Sequence, residues 1–225
     1  MFKSIVAAAA FAAGSIAVPA AAAVITPVSV TASDTFALWG QYKAENLING
    51  SGLSAEGLHD RNFAAMWMTN LGVAQAQLVF DLGAVYELAS ADIWQYNFAD
   101  PYPVNPSHII NTIDRGVKDF AILISTDGVD YTEVFNGTMA RANGDSLAAQ
   151  RFAIAGAAQY VKFDLFNNYA QGTIYDPYAT GLSEVRFASV EPGAVPEPAS
   201  WAFMIAGFGL AGAAMRRRAS SLRVA

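Results

Sequence analysis

The sequence predicts an all-β protein, an antiparallel sandwich of about eight short strands, and three observations carry that prediction. Short runs rich in Val, Ile, Phe and Tyr recur along the middle of the chain. Several alternate with period two, as in Tyr160-Val161-Lys162-Phe163-Asp164-Leu165, which gives each one buried and one wet face. Turn residues punctuate the runs, and no long helical period appears away from the two ends of the chain.

The elements follow in order. MFKSIVAAAAFAAGSIAVPAAAA places Lys3 before an apolar stretch and ends on small residues that fit cleavage near Ala22 or Ala23. That order is a secretory signal peptide over residues 1–23, not a structural helix. The strand runs are ITPVSVTA, AQLVFDL, LASADIWQYNF, VKDFAILIS, YTEVF, QRFAIA, YVKFDLF and LSEVRFASV. Asp127-Gly128 between two of them signals a hairpin. Asn136-Gly137 and Asn143-Gly144 are expected to mark further turns. Trp94 and Tyr96 lie within a strand run and are expected in the core rather than on a ligand platform. Irregular stretches span 51–65, 97–114 and 167–180. Loops this long inside a compact domain are usually functional or mobile.

The C-terminal end has a different character. No charge occurs from Ala199 to Met215, a run at the short edge of the roughly 17–25 residues that span hydrocarbon. Arg216, Arg217 and Arg218 follow at once, as the positive-inside rule expects of a cytoplasmic flank. The expected layout is a linker over 191–198, a transmembrane helix with its basic stop over 199–218, and a cytoplasmic tail over 219–225. GFGLAG within the run spells G-x-G-x-x-G through Gly207, Gly209 and Gly212, but no strand precedes it and no acidic residue follows to hold a ribose. Those glycines read as small residues of a membrane helix.

Pro196-Glu197-Pro198, the following Trp201-Ala202, the glycine-bearing apolar run and the cluster Arg216, Arg217 and Arg218 together resemble a PEP-CTERM sorting signal. The resemblance implies recognition by an exosortase, a membrane transpeptidase-like enzyme, and removal of the tail near the motif. It also implies transient anchoring in the inner membrane, then release to the cell surface or extracellular matrix of a Gram-negative, exopolysaccharide-producing bacterium.

Without the two ends, one domain's length of chain remains, long enough to bury roughly 70% of its unfolded surface. The sequence has no cysteine, which excludes a disulfide framework and a thiol nucleophile. Of the 13 basic and 19 acidic residues, residues 24–195 keep 8 and 18, so the net charge moves from −6 to −10. Such a surface repels nucleic acid, and other polyanions too unless cations intervene.

The phrases AENLINGS, then Trp67, LVFDLGAVYEL, IWQYN, RGVKDFAILISTDGVDYTEV and the closing GLSEVRF, taken in that order, resemble a discoidin-like, coagulation-factor C-type domain over residues 24–190. The resemblance implies an antiparallel jelly-roll β-sandwich of the galactose-binding-like kind, whose members bind sugars, glycans, phospholipid headgroups or proteins through loops at one end and are not themselves catalysts. It also implies one structural calcium. Many relatives carry Asp-Gly in the first loop where this chain has Asn49-Gly50, and Glu184 matches an acidic ligand in the closing strand. Asparagine supplies an oxygen without charge, so affinity through Asn49 and Glu184 should be weakened. Read without the resemblance, Asn49-Gly50 is a turn and Glu184 a solvated charge.

Little else points to chemistry. His59 and His108 stand in loop-like stretches without metal-ligand spacing and are expected to be solvated. No G-x-S-x-G elbow occurs, and no second domain offers a cleft for an acidic pair, so the chain is not expected to be an enzyme. Asn49-Gly50-Ser51 and Asn136-Gly137-Thr138 match a glycosylation sequon but are better explained as turn chemistry. The long loops carry Tyr102, His108, Tyr169, Tyr175 and Tyr178, with Arg115 at their border. Tyrosine faces stack on sugar rings and arginine donates to hydroxyls, so Tyr102, His108, Arg115, Tyr175 and Tyr178 form the candidate ligand face. Two readings remain: a module binding carbohydrate, including the cell's own exopolysaccharide, and a structural matrix protein acting through protein contacts with no sugar site.

Overall fold

The computed structural model describes residues 22–36, 40–105, 108–173, 178–190 and 204–210, with 102–110 as backbone only. One compact unit is Ala22–Val190; the other comprises Met1–Ala21 and Glu191–Ala225. In the second unit the described part is an exposed helical stretch at 204–210. The expected signal peptide, apart from its last residues, and the Pro-Glu-Pro motif and arginine cluster lie outside the described residues. Among the described residues no helix is long and apolar enough to cross a membrane.

The larger unit is built from β1 (Val24–Ile25), β2 (Ser29–Ala32), β3 (Trp67–Met68), β4 (Ala76–Gln95), β5 (Pro101–Asn105), β6 (His108–Asn111), β7 (Asp119–Ser125), β8 (Thr132–Thr138), β9 (Gln150–Leu165) and β10 (Gly181–Ser189). Their pairings are antiparallel and run β1-β10-β4-β9-β7-β8, with β2 added to β4, β3 added to β10, and β5-β6 apart as a two-stranded sheet.

Two of the sequence runs prove to be halves of one strand in each of two cases. AQLVFDL and LASADIWQ are continuous in β4, and QRFAIA and YVKFDL are continuous in β9. The β4–β9 register runs from Ala76↔Leu165 to Asp81↔Tyr160, breaks, and resumes at Tyr86↔Ala158. Gly83 at φ +81° stands in this break, and Gly156 at φ +135°, opposite Leu88, stands at a second register shift between Leu88 and Ser90, so the strands bend at both through backbone conformations that side chains disfavour. The first half of β4 then pairs with β2 and the second with β10, while the last part of β9 pairs with β7. The two long strands therefore serve both layers of the sandwich.

Period-two patterning sets the core. Leu78, Phe80 and Leu82 are buried from β4, Val161, Phe163 and Leu165 from β9, and Val185 and Phe187 from β10. The Phe80 ring lies 5.0 Å from Phe163 and 5.6 Å from Phe187, within the range of favourable aromatic pairs. Each such side chain contributes about 1.5–3 kcal/mol by leaving water. Trp94 and Tyr96 are buried as expected.

Two local expectations need correction. Asn136-Gly137 is not a turn but part of β8, paired as Ala121↔Asn136 and Phe120↔Gly137. The Phe135 ring folds over Gly137, where a Cβ would stand only 2.8 Å from Cζ, so glycine there makes room for a ring instead of reversing the chain. The 97–114 stretch is not irregular throughout, because it holds the β5–β6 hairpin. Pro101 and Pro103 are tolerated in β5 because both strands of a two-stranded sheet are edges.

Candidate functional site

All three long loop stretches converge. Lys118 N–H donates to Asn167 O, Tyr169 N–H to Gly116 O and Ala170 N–H to Asp114 O, at 3.1, 3.2 and 3.1 Å, which ties 97–118 to 167–180. Arg61 donates to Asp100 at 2.6 Å and to Ala99 O at 3.0 Å, and His59 exchanges backbone bonds with Leu147, which brings in 51–65.

Arg115 sits at the junction. It ends a 3-10 turn, Thr112–Arg115, whose first N–H groups are capped by the Asn111 side chain accepting from Ile113 N–H. Its side chain is buried, with Nη1 donating to the Tyr96 hydroxyl at 3.2 Å and Nη2 to the Tyr178 hydroxyl. The guanidinium carbon also lies 4.7 Å from the centroid of the Tyr178 ring, within cation–π reach. Arg115 Nε is buried with no hydrogen-bond partner among the described residues. Burial works against the guanidinium charge, and the Tyr96 and Tyr178 oxygens outweigh it, so the Arg115 pKa is raised. Burial pushes the Tyr96 hydroxyl well above the usual phenol range.

Tyr42 joins this cluster, a residue the sequence does not single out. Burial raises its hydroxyl pKa, and contact with Tyr96 and Arg115 offsets part of the rise. Its φ is +56°, a conformation that non-glycine residues rarely hold and that clusters at ligand sites.

A cleft of about 430 Å³ opens between 72–75 and 166–171 beside these loops. Gln75, Phe166 and Gln171 line it, and Phe166 is 39% exposed. Arg141 pairs with Asp114 at 2.7 Å.

Of the candidate ligand residues, the structure brings Arg115 and Tyr178 together. Tyr102 and His108 are placed on β5 and β6 by backbone, with side chains outside the described residues, as is Tyr175. The Tyr169 hydroxyl is taken up by Met139 O. His59 is not solvated but fully buried, with Nδ1 2.8 Å from Asp60 O. Gly52 lies against its ring so closely that a Cβ there would stand 2.6 Å from Cε1. The histidine packs within the 51–65 loop, and its backbone joins that loop to Leu147.

Glu184 is also no solvated charge, being 0% exposed. Its Oε2 accepts from Gly50 N–H at 3.1 Å, and Oε1 forms an ion pair with Arg186 Nη1. Arg186 Nη1 also donates to Ile48 O at 2.9 Å. Burial pushes the Glu184 carboxyl up to about 7, with Arg186 and the Gly50 N–H pulling the other way. Asn49 Oδ1 accepts from Ser51 N–H at 2.8 Å, while Nδ2 donates to Asn46. Among the described residues no three His, Cys, Asp or Glu side chains gather to hold a metal. Calcium takes six to eight oxygens, and the Asn49–Glu184 pair offers one carboxylate already engaged by a cation and an N–H. These donors do not fit the ion.

Residues 194–218 match the PEP-CTERM protein-sorting motif. No curated protein sequence matches the chain. Among solved structures, the C-terminal domain of a chitobiase from Bacteroides fragilis aligns with TM-score 0.51 at 12% identity, over 74% of this chain and 97% of that one. A pectin-binding carbohydrate-binding module aligns with TM-score 0.50 at 15% identity, over 77% of this chain and 96% of that one. A truncated AlyQ with CBM32 and alginate lyase domains aligns with TM-score 0.50 at 22% identity, over 75% of this chain but 34% of that longer one. At such identities the likeness is one of fold. Residues 194–218 therefore carry a PEP-CTERM protein-sorting motif, and ahead of them stands an antiparallel β-sandwich that shares its fold with the pectin-binding module and the chitobiase C-terminal domain.

Proposed function

We propose that the chain is an exported, exosortase-processed protein of the cell surface or extracellular matrix of a Gram-negative bacterium, whose sandwich binds carbohydrate, including exopolysaccharide, through the loop end. The role is binding, not catalysis. The observation that carries it is Arg115, held between the Tyr96 and Tyr178 hydroxyls where the long loops meet, with Tyr178 half-exposed. An aromatic face beside a fixed guanidinium suits a sugar ring, the ring stacking on apolar C–H groups and the fork donating to hydroxyl or carboxylate oxygens. Structures of the same fold include a pectin-binding module and a CBM32 domain joined to an alginate lyase, which supports a polysaccharide ligand. The sorting motif supports processing and delivery outside the cell.

A glycan array probed with the processed protein, including uronate-containing and neutral polymers, tests this reading. Retention of a glycan, lost in an Arg115→Ala variant that still folds, supports it. No retention of any glycan by the unaltered protein would favour a structural role through protein contacts.

A further inference from the structure

A buried carboxylate must be paired, because leaving it alone costs more than a marginally stable fold tolerates. In Glu184 the partner comes from the chain itself. Arg186 lies two residues on along β10, on the same side of the strand, while the intervening Val185 turns into the core. One guanidinium nitrogen, Nη1, meets Glu184 Oε1 from the closing strand and Ile48 O from the 44–50 loop. The other carboxylate oxygen takes the N–H of Gly50. Gly50 has φ +73°, and a Cβ there would stand 3.4 Å from Arg186 Nη2, so the loop backbone lies against the guanidinium. A loop carbonyl and a strand carboxylate thus converge on one positive nitrogen. The pair is neutral overall and leaves no net negative charge to draw a divalent ion.

We propose that Arg186 is the resident cation of this anchor: its guanidinium joins the 44–50 loop to the closing strand where the fold family would employ calcium, and the loop is held without metal. The inference is independent of whether the domain binds sugar.

The test is thermal melting of the full chain in detergent, with millimolar calcium and with chelator. The unaltered chain should melt at the same midpoint in both. Arg186→Gln should melt lower in chelator and recover part of the loss in calcium, because Glu184 is then unpaired and the new amide oxygen can join it as a ligand. Adding Glu184→Gln to that variant should abolish the calcium response. A calcium-dependent midpoint in the unaltered chain overturns the proposal, as does an Arg186→Gln variant that melts like the unaltered chain or folds without gaining a calcium response. If Arg186→Gln does not fold, calorimetric titration of the unaltered chain decides: stoichiometric calcium binding overturns the proposal and its absence supports it.

Discussion

Tyr178 meets Arg115 twice, its hydroxyl accepting from Nη2 and its ring centroid lying 4.7 Å from the guanidinium carbon. The two contacts serve different ends. The hydrogen bond fixes the guanidinium, and the ring offers a face beside it.

Tyr178→Phe should separate them. Removing the hydroxyl loses a bond to a charged donor in a half-buried site, a change of about 1.5–3 kcal/mol in a denaturant melt. The ring remains, so glycan affinity should fall less than in Tyr178→Ala, where both face and clamp go. Equal affinity loss in the two variants would show that the ring does not stack on ligand.

Trp94 should behave as a structural residue. It is 7% exposed and its indole N–H donates to Gly57 O at 2.9 Å, so it holds the 51–65 loop as well as filling space. Trp94→Ala should cost roughly 3–5 kcal/mol, read from the shift of the unfolding midpoint. A stable Trp94→Ala variant that loses only glycan binding would move Trp94 into the ligand face.

The sandwich was legible because its strands obey period two and their core residues are unambiguous, as in Leu78, Phe80 and Leu82. What could not be read was continuity. Gly83 and Gly156 look like breaks between strands, whereas they are corners within strands that change layer. The 97–114 stretch reads as irregular although Pro101 and Pro103 stand in a strand, because β5 belongs to a two-stranded sheet whose edges tolerate proline. Of the site, Arg115 and Tyr178 were visible as a charge and an aromatic in or beside long loops. Tyr42 was not, since nothing in its neighbours announces a positive φ or a long-range approach to Tyr96. Glu184 was legible only as a candidate calcium ligand or a solvated charge, and Arg186 not at all; the packing of the 44–50 segment beside them is what buries Glu184 and pairs it with Arg186.

That pair gives a pH dependence with a definite sign. Burial raises the Glu184 carboxyl to about 7, above its ordinary carboxylate value of about 4.3 in an unfolded chain. The folded state then holds the proton more tightly than the unfolded state. The stabilisation linked to that proton is fully present below about pH 4 and is lost as pH rises through 7. The stability difference between the unaltered chain and Glu184→Gln should therefore shift against the unaltered chain between about pH 4.5 and 7, by at most roughly 1.4 kcal/mol per pH unit. Denaturant melts of both proteins across that range measure it. A difference independent of pH would mean that Arg186 keeps the carboxylate ionised throughout.

The C-terminal prediction turns on order along the chain. The matched motif, 194–218, contains Pro196-Glu197-Pro198, then the apolar run, then Arg216, Arg217 and Arg218. A plain anchor needs the apolar run and the basic stop but has no use for the Pro-Glu-Pro triplet. If a processing enzyme reads the triplet, intact-mass analysis of protein from the native host should find nothing from the Ala199–Ala225 segment. Replacing Pro196, Glu197 and Pro198 with alanines should leave the tail attached and the protein in the membrane fraction. Removing residues 196–225 together with residues 1–23 would take away Lys3, Glu197 and the C-terminal arginines and move the net charge from −6 to −10, visible as a shift to lower isoelectric point. Full-length C-termini in the native host would leave the segment as an anchor and remove exosortase processing from the account.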